Sequence, residues 1–304
     1  MSQQNGSQLQ SSEVAAWAQR GVVRRLAGHD VFTVEVAAVG PETEPPLLVV
    51  HGFPTSSYDF AGVVDALAVG RRVLLCDYVG FGLSSKPDVA STLALHADVV
   101  AAFVSELGLD EVTLLSHDLG DTVGGELLAR TLDGTWPVEV VARVLTNGSI
   151  YIDLAQLTFG QQYLLSLPDE MAAADAAPDA AGLAASLLAT LSPATTLGLD
   201  DLAPHGELVA SGGGARLLPR TIRYIEERRR NESRFTGAIE AHPSPLSVVW
   251  GADDPIAVLA MTDRLRERRP DLTLTVLDGV GHYPMLEAPG PFTAAVLDGL
   301  ARRS

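Results

Sequence analysis

The sequence predicts an α/β protein built on a mostly parallel sheet with helices on both faces. Three observations carry that prediction: short apolar runs alternate with helical patterns, the runs are almost continuously β-rich, and the alternation stops once and then resumes. Val31–Ala37 alternates as an early antiparallel strand should. Leu47–Val50, Val73–Cys76, Val112–Leu115, Val141–Leu145, Leu246–Trp250 and Leu272–Leu277 follow as strands covered on both sides. Thr92–Leu107 and Asp118–Thr131 have helical spacing between them. From residue 149 to about residue 235 no convincing strand occurs, and Arg216–Arg230 has the spacing of a charged helix. Residues 149–235 therefore form a helical cap over the carboxyl edge of the sheet, where open α/β folds bind ligands. Residues 21–148 and 236–304 form the core, and residues 1–20 a flexible tail, Gln- and Ser-rich over the first twelve.

Composition sets the outer limits. The chain has 304 residues, 47% of them hydrophobic, which is enough to bury a sizeable core and excludes a disordered protein. The net charge of −17 repels phosphate backbones and anionic lipid, so neither nucleic acid nor a membrane surface is an expected partner. A single cysteine, Cys76, cannot form an internal disulfide, as suits a reducing, cytoplasmic compartment. The start of the chain has no signal-peptide pattern. Ala180–Leu199 is free of charge over about the length of a membrane span. It is Ala-rich, carries Ser and Thr and is broken by Pro193, so it reads as two short helices, or a helix and a loop, in a soluble protein. A monomer or homodimer is expected.

Chemistry concentrates where strands end. Ser116-His117-Asp118-Leu119-Gly120 leaves a strand and enters a helix, with small residues on either side of the central Asp118. That spacing makes a sharp turn which lifts the central side chain clear of the sheet, the nucleophile elbow. Serine is commonest there; a carboxylate can instead attack an electrophilic carbon and form an ester. Asp118 as a plain helix cap is the rival reading. Ser116 is a weak rival nucleophile, because Asp118 and not Gly stands two positions on. His51-Gly52-Phe53-Pro54 directly follows a strand and offers the Phe53 amide as an oxyanion donor, with the Leu119 amide as the second. Asp253-Asp254-Pro255 ends a later strand and supplies an acid to orient a histidine; Asp254 is preferred and Asp253 is the fallback. His282 follows the last strand, so nucleophile, acid and histidine occur in the chain order this fold requires. With a carboxylate nucleophile, the histidine would activate the water that cleaves the ester.

These residues resemble the α/β-hydrolase family, in particular its epoxide hydrolase and haloalkane dehalogenase group. The resemblance covers nearly the whole chain after residue 20. It rests on His51-Gly52-Phe53-Pro54-Thr55-Ser56-Ser57-Tyr58, Asp77-Tyr78-Val79-Gly80-Phe81-Gly82-Leu83-Ser84, Ser116 through Asp121, and His282-Tyr283-Pro284-Met285-Leu286-Glu287. The Tyr-Pro after the histidine and the Arg-rich exit from the cap are most similar to the mesoderm-specific transcript branch. The resemblance implies an eight-stranded, mostly parallel sheet, no cofactor, and a small apolar epoxide-type substrate with water as co-substrate. In epoxide hydrolases two cap tyrosines donate to the epoxide oxygen; of Tyr151, Tyr163 and Tyr224, the latter two fall nearest those placements. Dehalogenation, the alternative, commonly uses Trp or Asn donors for the halide, yet Leu119 and Phe53 occupy the matching positions. A non-catalytic ligand-binding protein on the same fold is the third reading. Gly80-Phe81-Gly82 reads as a turn, Arg228–Arg230 as a solvated helix face and His117 as packing. The scattered His29, His96, His205 and His242 have no metal-ligand spacing.

Overall fold

The computed structural model describes residues 11–301. The described residues begin with helix α1 (Ser12–Arg20), capped by the Ser11 hydroxyl accepting from the Val14 N–H, then hairpin β1 (Gly21–Leu26) and β2 (His29–Val36). β3 (Leu47–Val50), the short helix α2 (Val64–Leu67), β4 (Val73–Cys76), α3 (Leu93–Glu106), β5 (Glu111–His117), α4 (Leu119–Leu132) and β6 (Glu139–Thr146) follow. Then come α5 (Phe159–Ser166), α6 (Ala180–Leu188), α7 (Leu199–Ala210), α8 (Leu218–Thr221), α9 (Tyr224–Arg230) and α10 (Glu232–Ala241). β7 (Leu246–Gly251), α11 (Ala260–Arg268), β8 (Thr273–Leu277), α12 (Pro284–Glu287) and α13 (Pro289–Ala301) complete the fold.

The eight strands form one sheet in the order β1-β2-β4-β3-β5-β6-β7-β8, parallel from β4 onward, with antiparallel pairs at β1–β2 and β2–β4. Strand side chains alternate between two cores. Leu48, Val50, Leu74 and Leu114 pack with Phe103 of α3 and Val123 of α4, whereas Val49, Leu75 and Leu115 pack with Val64 of α2 and Phe292 of α13. Each central strand therefore buries both faces, which explains its unbroken apolar sequence.

Three expectations change. Residues 12–20 are helical rather than tail, because Val14 and Trp17 are buried; the first ten residues of that expected tail lie outside the described residues. β1 escaped the sequence reading, since an edge strand carrying Arg24 and Arg25 has no apolar run. The expected single helix over 216–230 is broken into a 3-10 turn, α8 and α9. Among the described residues no strand lies between Thr146 and Leu246. The end expected for the insertion at residue 235 falls inside α10, where the Phe235 backbone crosses α4 so closely that a Cβ at Gly125 would lie 2.8 Å from the Phe235 carbonyl oxygen. No helix among the described residues is long and apolar enough to cross a membrane.

β3 and β5 are neighbours, with Val50 opposite Ser116, although the chain runs from β3 out to β4 before crossing back to β5. Successive connections leave in opposite directions here. The crevice at their carboxyl ends is thus the place where such sheets hold ligands.

Candidate active site

Asp118 stands between β5 and α4 with φ 50° and ψ −111°, a backbone conformation that costs a non-glycine residue about 1–3 kcal/mol. The neighbours make that turn possible. A Cβ at Gly120 would lie 2.3 Å from the Val50 carbonyl oxygen, and one at Gly52 would lie 2.9 Å from Asp118 Cβ. Only glycine lets β3, its following loop and the elbow close on one another. The Asp118 carboxylate is 2% exposed. The Phe53 N–H donates to its Oδ2 at 2.8 Å. Leu119, fully buried, is the first residue of α4, so its N–H belongs to the helix N-terminus, whose donors have no intrahelical acceptor.

The Phe53 loop is held from two sides. The Ser57 N–H (2.9 Å) and hydroxyl (2.6 Å) donate to Asp77 Oδ1, and the Leu83 N–H donates to Asp77 Oδ2 (2.7 Å). The Thr55 hydroxyl donates to buried Asp59 (2.5 Å), whose other oxygen lies 3.0 Å from Nδ1 of His205 on α7. Gly80 and Gly82 both adopt positive φ in the turn after β4.

His282 faces Asp118 from the loop after β8, with Nε2 4.0 Å from Asp118 Oδ1. Its Nδ1 lies 2.8 Å from Asp254 Oδ2; a carboxylate only accepts, so Nδ1 carries the hydrogen. Asp254 also accepts from the Ile256 (2.7 Å) and Ala257 (3.0 Å) N–H groups. Asp253 is engaged elsewhere, accepting from the Ser192 hydroxyl at 2.6 Å. Burial favours neutral imidazole at His282, but the charge and hydrogen bond of Asp254, then Asp118 and Glu287, outweigh it and raise its pKa to about 9.

Several supporting residues escaped the sequence reading. Asn147, at φ 48° after β6, donates through Nδ2 to Asp254 Oδ2 (2.7 Å) and accepts the Gly251 N–H (2.9 Å). Its strand-end position was visible, but the sequence does not show an amide reaching a carboxylate 107 residues away. Glu287 accepts from Ser192, Gly281 and Tyr283 N–H groups and so clamps the His282 loop. His117 does more than pack, since its Nε2 lies 2.8 Å from the His282 carbonyl oxygen. Arg228 is not on a solvated face. It is 2% exposed, donates to the Thr122 hydroxyl and the Ser149 carbonyl (both 2.8 Å), and lies 4.9 Å from the Tyr224 ring centre.

The three tyrosines of the insertion have different surroundings. Tyr224 on α9 is buried and its ring centre is 5.6 Å from that of Phe53. Burial and then the Asp118 charge push its phenol pKa upward, so it keeps its proton. Tyr151 donates to Glu240 at 2.8 Å. Tyr163, on α5, is 53% exposed and lines the outer part of a chamber of about 340 Å³ that ends at Phe53, His282 and Tyr283. Tyr283, quoted only within its motif at the outset, is a fourth phenol at the site, 2% exposed, with its hydroxyl 3.5 Å from the Phe53 carbonyl oxygen.

A strained residue at a sharp turn from β-strand to helix, facing a histidine oriented by an acid, is the nucleophile-elbow arrangement. The model of the α/β-hydrolase fold family matches residues 45–289. This chain belongs to that family. The α/β-hydrolase is 37% identical over 259 residues to the protein named Putative hydrolase LipZ of Mycobacterium tuberculosis, covering 85% of this chain and 89% of the relative. It is 28% identical over 295 residues to the mesoderm-specific transcript homolog protein of Bos taurus, covering 94% and 88%. Among solved structures, one described as a putative epoxide hydrolase from Klebsiella pneumoniae superposes with a TM-score of 0.71 at 18% identity, covering 96% of this chain and all of that one. That last likeness concerns the fold.

Proposed function

We propose that this α/β-hydrolase opens epoxides to vicinal diols through an ester on Asp118. The observation that carries the reading is the pairing of an elbow carboxylate with a buried, protonated phenol: Tyr224 lies against the loop whose Phe53 amide binds Asp118. Asp118 Oδ1 attacks an epoxide carbon and its C–O bond breaks. The Tyr224 phenol donates to the leaving oxygen, and Tyr163 at the chamber wall is the second, weaker donor.

Ester formation removes the Asp118 charge, one of the influences that raises the His282 pKa. The imidazole then releases its proton more readily and becomes the base its task requires. His282 Nε2 takes a proton from water as that water attacks Asp118 Cγ. The 4.0 Å between Nε2 and Oδ1 leaves the two side chains unbonded to each other. Charge developing on Oδ2 is met by the Phe53 and Leu119 amides. The Cγ–Oδ1 bond breaks as His282 Nε2 returns its proton to the leaving oxygen, so the diol departs with an oxygen from Asp118. The remaining proton of the attacking water goes from the new carboxyl group to the Tyr224 phenolate, and the carboxylate is rebuilt with one oxygen from water.

The test is diol formation from styrene oxide and cyclohexene oxide by the wild type against Asp118→Ala. Wild-type turnover that the substitution abolishes is expected. No diol across a broad epoxide panel overturns the reading, and halide release from bromoalkanes in its place assigns the same nucleophile to dehalogenation. Leu119 and the Phe53 side chain offer no halide donor, which weighs against that outcome.

A further inference from the structure

We propose that the substrate is a neutral, lipophilic monoepoxide whose reacting oxygen is its only strongly polar group, and that the chamber discriminates against epoxides carrying a carboxylate. The inference rests on the epoxide reading of the site and names its substrate class.

The chamber's lining contains no Lys, Arg, Asp or Glu. Leu164, Leu183, Leu187, Leu218 and Ile256 supply much of the wall. Four polar side chains of the lining are hydrogen-bonded to nearby backbone. Ser186 donates to the Gly182 carbonyl (2.9 Å) and Thr190 to the Leu187 carbonyl (2.7 Å). Thr158 and Gln161 close a capping box on each other at the start of α5. Beyond the reaction centre no cation stands ready for an anionic tail, and a carboxylate buried without a partner is costly.

The entrance adds a second, independent term. The segment bordering the chamber through Ala172, Ala176 and Pro178 carries Glu170, Asp175 and Asp179, all exposed, beside Asp169, and no basic residue. The nearby arginines are held by other groups. Arg220 pairs with Asp88 (2.6 Å) and Asp169 (3.3 Å), Arg223 donates to the carbonyls of Leu164, Leu165 and Leu167, and Arg216 to that of Ala172. An approaching anion therefore meets like charge outside and, beyond His282 at the reaction centre, no counter-charge within. Phe159 and Tyr163, one turn apart on α5, stand 85% and 53% exposed and give a hydrocarbon tail an apolar approach.

The experiment compares 1,2-epoxydodecane, methyl 10,11-epoxyundecanoate and free 10,11-epoxyundecanoate at neutral pH. The two neutral epoxides should exceed the carboxylate in kcat/KM by about a hundredfold, mainly through KM. Equal kcat/KM for ester and acid would overturn this inference while leaving the epoxide reading intact. Absence of diol from all three would count against the epoxide reading instead, and binding then decides: displacement of Nile red from Asp118→Asn by the ester but not by the acid is expected. Equal displacement overturns the inference. Ser186→Lys, an exposed position on the chamber wall, should narrow the deficit of the acid about tenfold in a variant whose thermal transition matches the wild type; an unchanged deficit also counts against the inference.

Discussion

The two walls of the site are built on opposite plans. On the sheet side, the groups around Asp118 are held by directed hydrogen bonds: Phe53 N–H to Asp118, Asp254 to His282, Asn147 to Asp254, and Asp77 to the loop that carries Phe53. On the side of the helices between β6 and β7 the wall is mostly hydrocarbon, and its Ser186 and Thr190 hydroxyls donate to nearby backbone carbonyls. Directed bonds fix reacting atoms to within tenths of an ångström, whereas apolar packing shapes a volume and ranks substrates. Under the proposed function, reactivity and selection are therefore separated in this molecule, with Tyr224 and the α7 histidine, His205, as points where the helices between β6 and β7 reach across to the sheet side.

That contrast predicts a gradient of effects. Asp118→Ala should lower kcat by about 10⁴-fold or more, because no other carboxylate faces His282 from the elbow. Tyr224→Phe should cost about 10²-fold, read as kcat for epoxides with poor alkoxide leaving groups, whereas Tyr163→Phe should cost less than about threefold. A larger loss at Tyr163 than at Tyr224 would break the contrast between buried and exposed phenols. Asn147→Gly keeps the backbone free to adopt φ 48° while deleting the amide. Losing a hydrogen bond to a charged group costs about 1.5–3 kcal/mol, so a drop of roughly tenfold in kcat and a lower Tm are expected.

The pH dependence sharpens the same picture. His282 should titrate near pH 9 in the resting enzyme, where ionised Asp118 helps hold its proton. Since only neutral imidazole can accept a proton from water, kcat limited by ester hydrolysis should rise with pH. Its inflection should lie below the resting value, because the ester carries no charge. Nuclear magnetic resonance titration of His282 in wild type and Asp118→Asn checks the direction, with a lower pKa expected in the variant.

Most of the sheet, and the motifs that meet around Asp118, were legible because their causes are local. Leu47–Val50 and Val73–Cys76 are four-residue apolar runs and form the strands expected, and the elbow and the His-Gly-Phe-Pro loop are contiguous motifs that end strands. What was not legible depends on distant partners. Asn147 looks like a missing acid until its amide is seen bonded to Asp254. Arg228 shares a charged run with two exposed arginines, and only the folded position of α9 brings its guanidinium to Thr122 on α4. Tyr163 and Tyr224 are equally plausible phenols by position. Their exposures of 53% and 2% follow from how the inserted helices pack.

Mass spectrometry of His282→Gln after brief exposure to styrene oxide tests the central claim most directly. A persistent adduct of one substrate mass on the peptide containing Asp118, released as diol only slowly, is expected. An adduct on another residue, or undiminished turnover by this variant with Asp118 unmodified throughout, would contradict it.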